Sequence, residues 1–237
     1  MKSIFDADIF CYRAASACED EDEATAQRTL DRLIVDVLMC GVDNIYPDCF
    51  VDSWSMHLTG KNNFRYEIAT TVPYKGNRVD KPKPKHLASL RSHLVKEWRA
   101  SISEGEEADD TIAIEATLLG DECVIVSLDK DLDQIVGWHY NFVKKIGYYI
   151  KQEEALVKLY TQMLTGDAAD NIKGLMGIGP VKAAKIIGDT TDETELYNKV
   201  LEAYEGNSER VLENAQLLFL RRHKGQIWTP PLKKAEA

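Results

Sequence analysis

The chain has 237 residues, 44% hydrophobic and 29% charged, with a formal net charge of −10. That composition fits a globular protein with one large domain, or a core with a smaller domain attached. No apolar run approaches the roughly 20 residues of a membrane span, and Asp6 and Asp8 break the first apolar stretch, which excludes a signal peptide there and leaves a cytoplasmic location expected.

Residues 2–6 (KSIFD) read as a short strand. The acidic run Glu19 to Glu23 reads as a solvated loop before a helix, and Ala26 to Cys40 as an amphipathic helix with Leu30, Leu33, Ile34, Val37 and Leu38 at helical spacing. Cys49 to Val51 is expected to be a strand leading into Asp52, and the polar segment Ser53 to Thr71 a loop or hairpin. The run Lys81-Pro-Lys-Pro-Lys85 cannot be helical, because proline removes donors and forces its predecessor into extended geometry. A basic amphipathic helix is predicted from about His86 to Ile102, and another helix from Glu107 to Leu119. Glu122 to Leu128 (ECVIVSL) reads as a buried strand by its β-branched content. This alternation predicts an α/β fold, a central mostly parallel sheet flanked by helices. From Glu153 onward the pattern is helical, with breaks at 174–179 and 206–208. The predicted division is therefore an α/β core over 1–150 and a helical region over 151–237. No internal repeat is evident.

Five scattered cysteines with no C-x-x-C pair point to reduced thiols, and neither they nor the five histidines have the spacing of a zinc site. The acidic total conceals two basic islands. Between Lys75 and Arg99 eight Lys or Arg residues face only Asp80 and Glu97, and Asn171 to Gly188 holds three lysines and no acid. Local field governs phosphate binding more than total charge does.

Carboxylates recur where the predicted strands end. Asp6 ends the first, Asp52 follows the second, and Asp129 and Asp131 follow ECVIVSL. The carboxyl ends of parallel strands share one edge, where α/β folds bind ligands. Glu107, Asp109 and Asp110 open a helix, and Asp167 and Asp170, three apart, can face one way from a helical turn. Nine such carboxylates on one edge would repel strongly unless cations neutralise them. Hard oxygen donors select Mg²⁺ or Mn²⁺, and two such ions can clamp the attacking and leaving oxygens of a phosphodiester. Discounting the nine moves the formal charge from −10 to −1. Asp109 or Asp110 alone would be an ordinary helix cap. A calcium loop at 129–140 is disfavoured by Gln134 and Tyr140 where Gly and Glu are required, and Asp8 reads equally as a helix cap.

Gly174-Leu-Met-Gly177-Ile-Gly179-Pro180-Val-Lys182-Ala-Ala allows a tight turn, with proline at the first helical position. The helix it opens offers its first amides to a phosphate, with Lys182 and Lys185 adding charge. This is a helix–hairpin–helix pattern over 172–188; an ordinary helical corner is the plainer reading. Tyr74-Lys75-Gly76-Asn77-Arg78 places two cations suited to a scissile phosphate.

Together these residues resemble the flap endonuclease and 5′-exonuclease family of phages and of bacterial DNA polymerases. The resemblance rests on Asp6 with Arg13, Asp52, YKGNR at 74–78, EADD at 107–110, SLDKD at 127–131, and GDAADN at 166–171 running into GLMGIGPVKAA. It implies a PIN-like 5′-nuclease core with a C-terminal helix–hairpin–helix region, hydrolysing DNA at 5′ ends, flaps or nicks by a two-metal mechanism. Two Mg²⁺, replaceable by Mn²⁺, would be held by the nine carboxylates named above. Lys75 and Arg78 would act on the phosphate. DNA contacts would fall to Arg13, Tyr74, Lys81, Lys83, Lys85, Gly177, Gly179, Lys182 and Lys185. The resemblance further implies a basic arch over 79–106, K⁺ at the hairpin, RNA–DNA hybrid as a further substrate, a monomer, and host cytoplasm if phage-encoded. Alanine at 7, followed by Asp8, departs from the glycine of many relatives, and 79–106 is short for a threaded arch. The alternatives are a haloacid-dehalogenase-type phosphatase using Asp6 and Asp8, and a non-catalytic module that grips the DNA backbone.

Overall fold

Alternating apolar residues set the sheet. Phe5, Met56, Leu58, Val124 and Val126 turn to one face and Ile4 and Ile125 to the other, as the two-residue pleat requires. The computed structural model describes residues 1–40, 53–79 and 81–231, with backbone only at Cys40. In chain order they form β1 (Lys2–Asp6), α1 (Ala7–Ala17), α2 (Glu23–Cys40), β2 (Ser53–Thr59), the short α3 (Arg65–Ile68), α4 (Leu87–Glu97), β3 (Ser101–Ser103), α5 (Ala108–Leu119), β4 (Cys123–Val126), β5 (Gly137–Asn141) and β6 (Ile146–Ile150). There follow α6 (Gln152–Thr165), the two-residue strands β7 (Gly166–Asp167) and β8 (Ile172–Lys173), α7 (Pro180–Ile187), α8 (Glu193–Ala203) and α9 (Ser208–Leu218).

The chain divides into two units. The first comprises Met1–Asn63, Pro82–Ile150 and Arg222–Lys224. Its six-stranded sheet has the order β3-β2-β1-β4-β5-β6, parallel except for the β5–β6 hairpin. α5 packs on β1, β2 and β4, while α1, α2 and α4 pack together on the apolar face that carries Phe5 and Met56. The carboxyl ends of β1, β2 and β4 therefore open onto one edge.

The second unit comprises Phe64–Lys81, Lys151–Arg221 and Gly225–Ala237. Tyr160, Met163, Leu164, Ile187, Leu196, Val200 and Val211 form its core, to which Tyr74 contributes from the early segment. Arg65 is almost wholly buried there. Its Nε donates to the Leu217 carbonyl at 2.8 Å and its Nη2 to that of Phe219 at 2.9 Å, satisfying carbonyls at the buried end of α9. Among the described residues no helix is long and apolar enough to cross a membrane.

Several expectations need correction. Ser53–Thr59 is a strand, not a loop: its polar residues alternate with Trp54, Met56 and Leu58, and it pairs with β1 over 53–57 and with β3 over 57–59. The strand expected at 49–51 and Asp52 lie outside the described residues, and Asp52 precedes β2 in the chain instead of ending it. The helix expected to reach Ile102 stops at Glu97, where Arg99 turns left-handed (φ 57°) and 101–103 pairs with β2. That helix is no free-standing arch, because Leu90 and Leu94 are fully buried in the first unit's core. The segment 64–81, expected with the α/β core, belongs to the helical unit. The acidic run at 19–23 is not simply solvated: Glu19 accepts from the Lys85 amide and the Glu21 carbonyl from the Lys85 ammonium.

Candidate metal and phosphate site

In the first unit, Asp6 closes β1 and caps α1, its Oδ1 accepting from the Ile9 amide at 3.4 Å. Its Oδ2 accepts from the Ser127 hydroxyl at 2.7 Å, which joins the end of β1 to the residue after β4. Burial, with the charge of Asp129 adding, pushes the Asp6 carboxyl up to about 6, against the Ser127 and Ile9 hydrogen bonds that pull it down. Asp129 is half-buried; its amide donates to Ser127 Oγ at 2.9 Å and its Oδ1 accepts from the Asp131 amide at 2.8 Å. Ser127, which the sequence reading did not single out, is thus shared by two of the acids. The signal was its place between the strand and Asp129.

Glu107 and Asp110 open α5 as a capping box, the Glu107 amide donating to Asp110 Oδ2 at 3.2 Å. Both are buried, and Asp109 between them is half-buried. Arg222, a second unforeseen residue, donates Nη2 to the Gln134 carbonyl at 2.7 Å. Burial pulls its guanidinium down to about 10, while Asp110 opposes that shift. Asp8 stands on the same edge, where its Oδ2 accepts from the Thr59 amide at 2.7 Å and its Oδ1 pairs with Arg91. Beyond Thr59 no side chain fits, since a Cβ on Gly60 would lie 2.2 Å from the Ser103 carbonyl oxygen.

Among the described residues no group of three or more His, Cys, Asp or Glu side chains is arranged to hold a metal ion, and Asp52 is not among them. The donor chemistry nonetheless suits a hard cation: the acids on this edge are oxygen donors, and Asp6 is a buried carboxyl beside the charge of Asp129. Cys11, Cys18 and Cys123 are free and buried. Lys83, Lys85 and Arg91 line a cleft of about 560 Å³ beside Leu58 and Leu87, and Arg13 is exposed on α1.

In the second unit, Asp167 and Asp170 sit on a β7–β8 turn and not on a helix, the Asp167 Oδ1 accepting from the Ala169 amide at 2.7 Å. Gly166 and Gly174 make this turn possible. A Cβ on Gly166 would fall 2.3 Å from the Gly174 nitrogen, and its φ is +68°. The YKGNR segment is fastened to the turn through its backbone. The Lys75 amide donates to the Asp170 carbonyl at 2.8 Å, Asn77 Nδ2 to that of Ala168 at 2.7 Å, and Arg78 Nε to that of Ala169 at 2.9 Å. Asn171 returns the tie, its Nδ2 donating to the Pro73 carbonyl at 2.8 Å.

Asp170 collects the charges of this segment. Its Oδ1 meets Arg78 Nη2 at 2.5 Å, and its Oδ2 accepts from the Tyr74 hydroxyl at 2.7 Å and pairs with Lys75 Nζ at 3.6 Å. Tyr74, expected to touch DNA, is buried and spends its hydroxyl on Asp170. Gly179 caps α7 with Pro180 at its first position, and Gly177 is left-handed at φ 75°. Lys182 and Lys185 are exposed on that helix, and Lys199 Nζ caps its far end on the Ile187 carbonyl at 2.6 Å.

No family model matches the chain. The chain is 30% identical over 177 residues to the flap endonuclease Xni of Shewanella halifaxensis, a match covering 66% of this chain and 68% of that protein. It is 34% identical over 135 residues to a DNA polymerase I from Rhizobium leguminosarum, covering 51% of this chain but only 13% of the polymerase. Among solved structures, the bacteriophage T5 D15 flap endonuclease in complex with DNA and metal ions superposes with a TM-score of 0.65 at 17% identity, over 92% of this chain and 88% of that one. The catalytic core of Rad2 in complex with DNA substrate gives 0.53 at 16% identity, over 95% and 78%. At these identities the structural likeness is one of fold.

Proposed function

The chain belongs to the flap endonuclease and 5′-exonuclease family, and from that premise we propose that it hydrolyses DNA phosphodiester bonds at 5′ ends, flaps or nicks with the help of divalent metal ions. The observation that carries the reading is Asp6 and Asp129 at the carboxyl ends of the neighbouring strands β1 and β4, with the Asp6 carboxyl driven up by burial and, to a lesser degree, by the charge of Asp129.

Asp6, Asp52, Glu107, Asp109, Asp110, Asp129, Asp131, Asp167 and Asp170 are the carboxylates that would hold divalent ions in this reading. Two Mg²⁺, or Mn²⁺ in their place, match this donor set, and such ions supply Lewis-acid polarisation of the phosphate. Lys75 and Arg78 would grip a phosphate and offset the charge that develops on it. The α7 amides with Lys182 and Lys185 would hold a duplex backbone without reading its sequence, and K⁺ would sit on the 174–179 turn. Arg13, Lys81, Lys83 and Lys85 are the further cations offered to DNA. RNA–DNA hybrid is a second substrate in this reading, and the protein acts as a cytoplasmic monomer. The phosphatase alternative is not favoured, because Asp8, its proton donor, is committed to Arg91 and to the Thr59 amide.

The test is digestion of 5′-labelled duplex and flap DNA with Mg²⁺ and with EDTA, resolving product lengths, for the wild type, Asp129→Asn and Asp167→Asn. Cleavage that needs the metal and falls by at least about 100-fold in both variants is expected. Undiminished turnover in both folded variants would refute the assignment.

A further inference from the structure

Two tyrosines of the second unit face each other and are treated in opposite ways. Tyr74 is buried, whereas Tyr66 is 59% exposed. A ring of that size usually withdraws from water or spends its hydroxyl on a partner. Among the described residues the Tyr66 hydroxyl makes no hydrogen bond. The ring is nevertheless fixed. It sits on α3, which the neighbouring Arg65 pins to the Leu217 and Phe219 carbonyls. The Glu67 and Ala69 amides close the turn on the Phe64 and Arg65 carbonyls, both at 3.1 Å. The Tyr66 ring then meets that of Tyr74 edge to face, with centroids 5.4 Å apart and planes at 78°.

Tyr74 leads from this ring into the basic segment. The Lys75 ammonium lies 5.2 Å from the Tyr74 ring centroid, and Asn77 and Arg78 follow, both exposed. Laid end to end, the two ring distances bound the separation of the Tyr66 ring from the Lys75 ammonium at about three steps of a strand that rises roughly 3.4 Å per nucleotide. An open aromatic ring beside a run of basic residues is the combination that binds a single strand. The cations follow the backbone and the ring takes a base face, whatever the base, because every base has one. Stacking uses only the open part of the ring, so it makes no demand on the partners of Lys75 or on a metal ion. The Tyr66 side chain is already ordered, and a base that lands on it costs little further freedom.

We propose that Tyr66 is a base-stacking platform: a nucleobase of the DNA strand that the YKGNR segment holds lies on the exposed part of its ring. Tyr66 is then a DNA-binding residue that sets where the strand rests along the segment without reading its sequence. The inference rests on the nuclease reading for the identity of the strand, and on the exposure and packing of the ring for the stacking.

The experiment measures binding of labelled flap duplexes by anisotropy in EDTA, which leaves the DNA uncut. A single abasic site is stepped along the strand within about three nucleotides of the cleaved bond. At one position it should weaken wild-type binding at least about fivefold, and little elsewhere. Tyr66→Ala should weaken binding of the intact duplex by a similar factor and be indifferent to the abasic site at that position. Tyr66→Phe, which keeps the ring, should match the wild type within about twofold. 2-Aminopurine at the sensitive position should lose fluorescence on binding the wild type and keep it with Tyr66→Ala. A wild-type scan with no sensitive position overturns the proposal, and that arm does not depend on any variant's folding. Tyr66→Ala that retains the full abasic penalty also overturns it, since the ring would then serve only to pack Tyr74. A wild type that neither binds flap DNA nor cleaves it with Mg²⁺ overturns the nuclease reading and this inference with it; one that does both without a sensitive position overturns the inference alone.

Discussion

The Ser127 hydroxyl donates to Asp6 Oδ2 at 2.7 Å, so the ionised form of a buried carboxyl at the end of β1 is stabilised by the residue that follows β4. Removing that donor leaves burial and Asp129 unopposed by the hydroxyl, and the Asp6 carboxyl should rise further above about 6. Divalent ions compete with the proton for this group. In Ser127→Ala the pH midpoint of Mn²⁺ binding, followed by calorimetry, should therefore move upward by about one pH unit. An unchanged midpoint would take Asp6 out of the ligand set.

Glu213 makes the stability of the second unit depend on pH in the acid range. Burial would raise its carboxyl, but hydrogen bonds from the Thr71 hydroxyl and the Thr71 and Thr70 amides, with Arg210 nearby, outweigh it and hold the group at about 2. Its folded value lies below the unfolded value of about 4.3. The contribution is thus fully present above about pH 4.3 and is lost as pH falls toward about 2. Glu213→Gln should lower the thermal midpoint at neutral pH and flatten its decline between those limits. Coincident wild-type and variant curves would show that the clasp contributes nothing to stability.

Lys182 and Lys185 stand exposed on α7 behind the Gly179–Pro180 cap. If each neutralises one phosphate, changing both to Ala should weaken duplex binding and reduce the slope of log affinity against log salt by about 2. A slope equal to that of the wild type would remove this helix from the DNA interface.

At Gly166 sterics and dihedral agree. A methyl group there would meet backbone at 2.3 Å, with φ at +68°. Gly166→Ala should destabilise the second unit by about 2 kcal/mol and lower its melting temperature by roughly 8–16 °C. Melting within a degree of the wild type would mean that the β7–β8 turn yields easily.

What the sequence disclosed follows from the range of each interaction. The strand in ECVIVSL and the cap at Gly179-Pro180 are local signals, written in branching at Cβ and in fixed dihedrals. β2 carried a local signal as well, Trp54, Met56 and Leu58 at every second position, but the Asn, Gly and Lys of the longer segment 53–71 suggested a loop or hairpin. His57 tolerates burial because Glu115 and Ser101 satisfy both ring nitrogens, at 2.6 and 2.8 Å. Such partners, about 50 residues away in sequence, are invisible to a local pattern. The same holds for the candidate site. The acids flanking β1 and β4 were legible as strand ends, whereas Arg91 on Asp8, Arg222 near Asp110 and the collection of cations on Asp170 are tertiary facts. Asp167 and Asp170 looked like neighbours on a helix because a spacing of three suits both a helix and the tight turn they occupy.

The tie between YKGNR and the 166–174 turn joins residues 91 to 98 positions apart, since Asn77 reaches Ala168 and Asn171 reaches Pro73. A ribosome adding about 5–20 residues per second needs on the order of 5–20 s to deliver the second partner after the first. Throughout that interval Lys75 and Arg78 are part of a unit whose remaining chain has yet to be made. The ordered cation pair therefore comes into being only late in synthesis, once the 166–174 turn has been made.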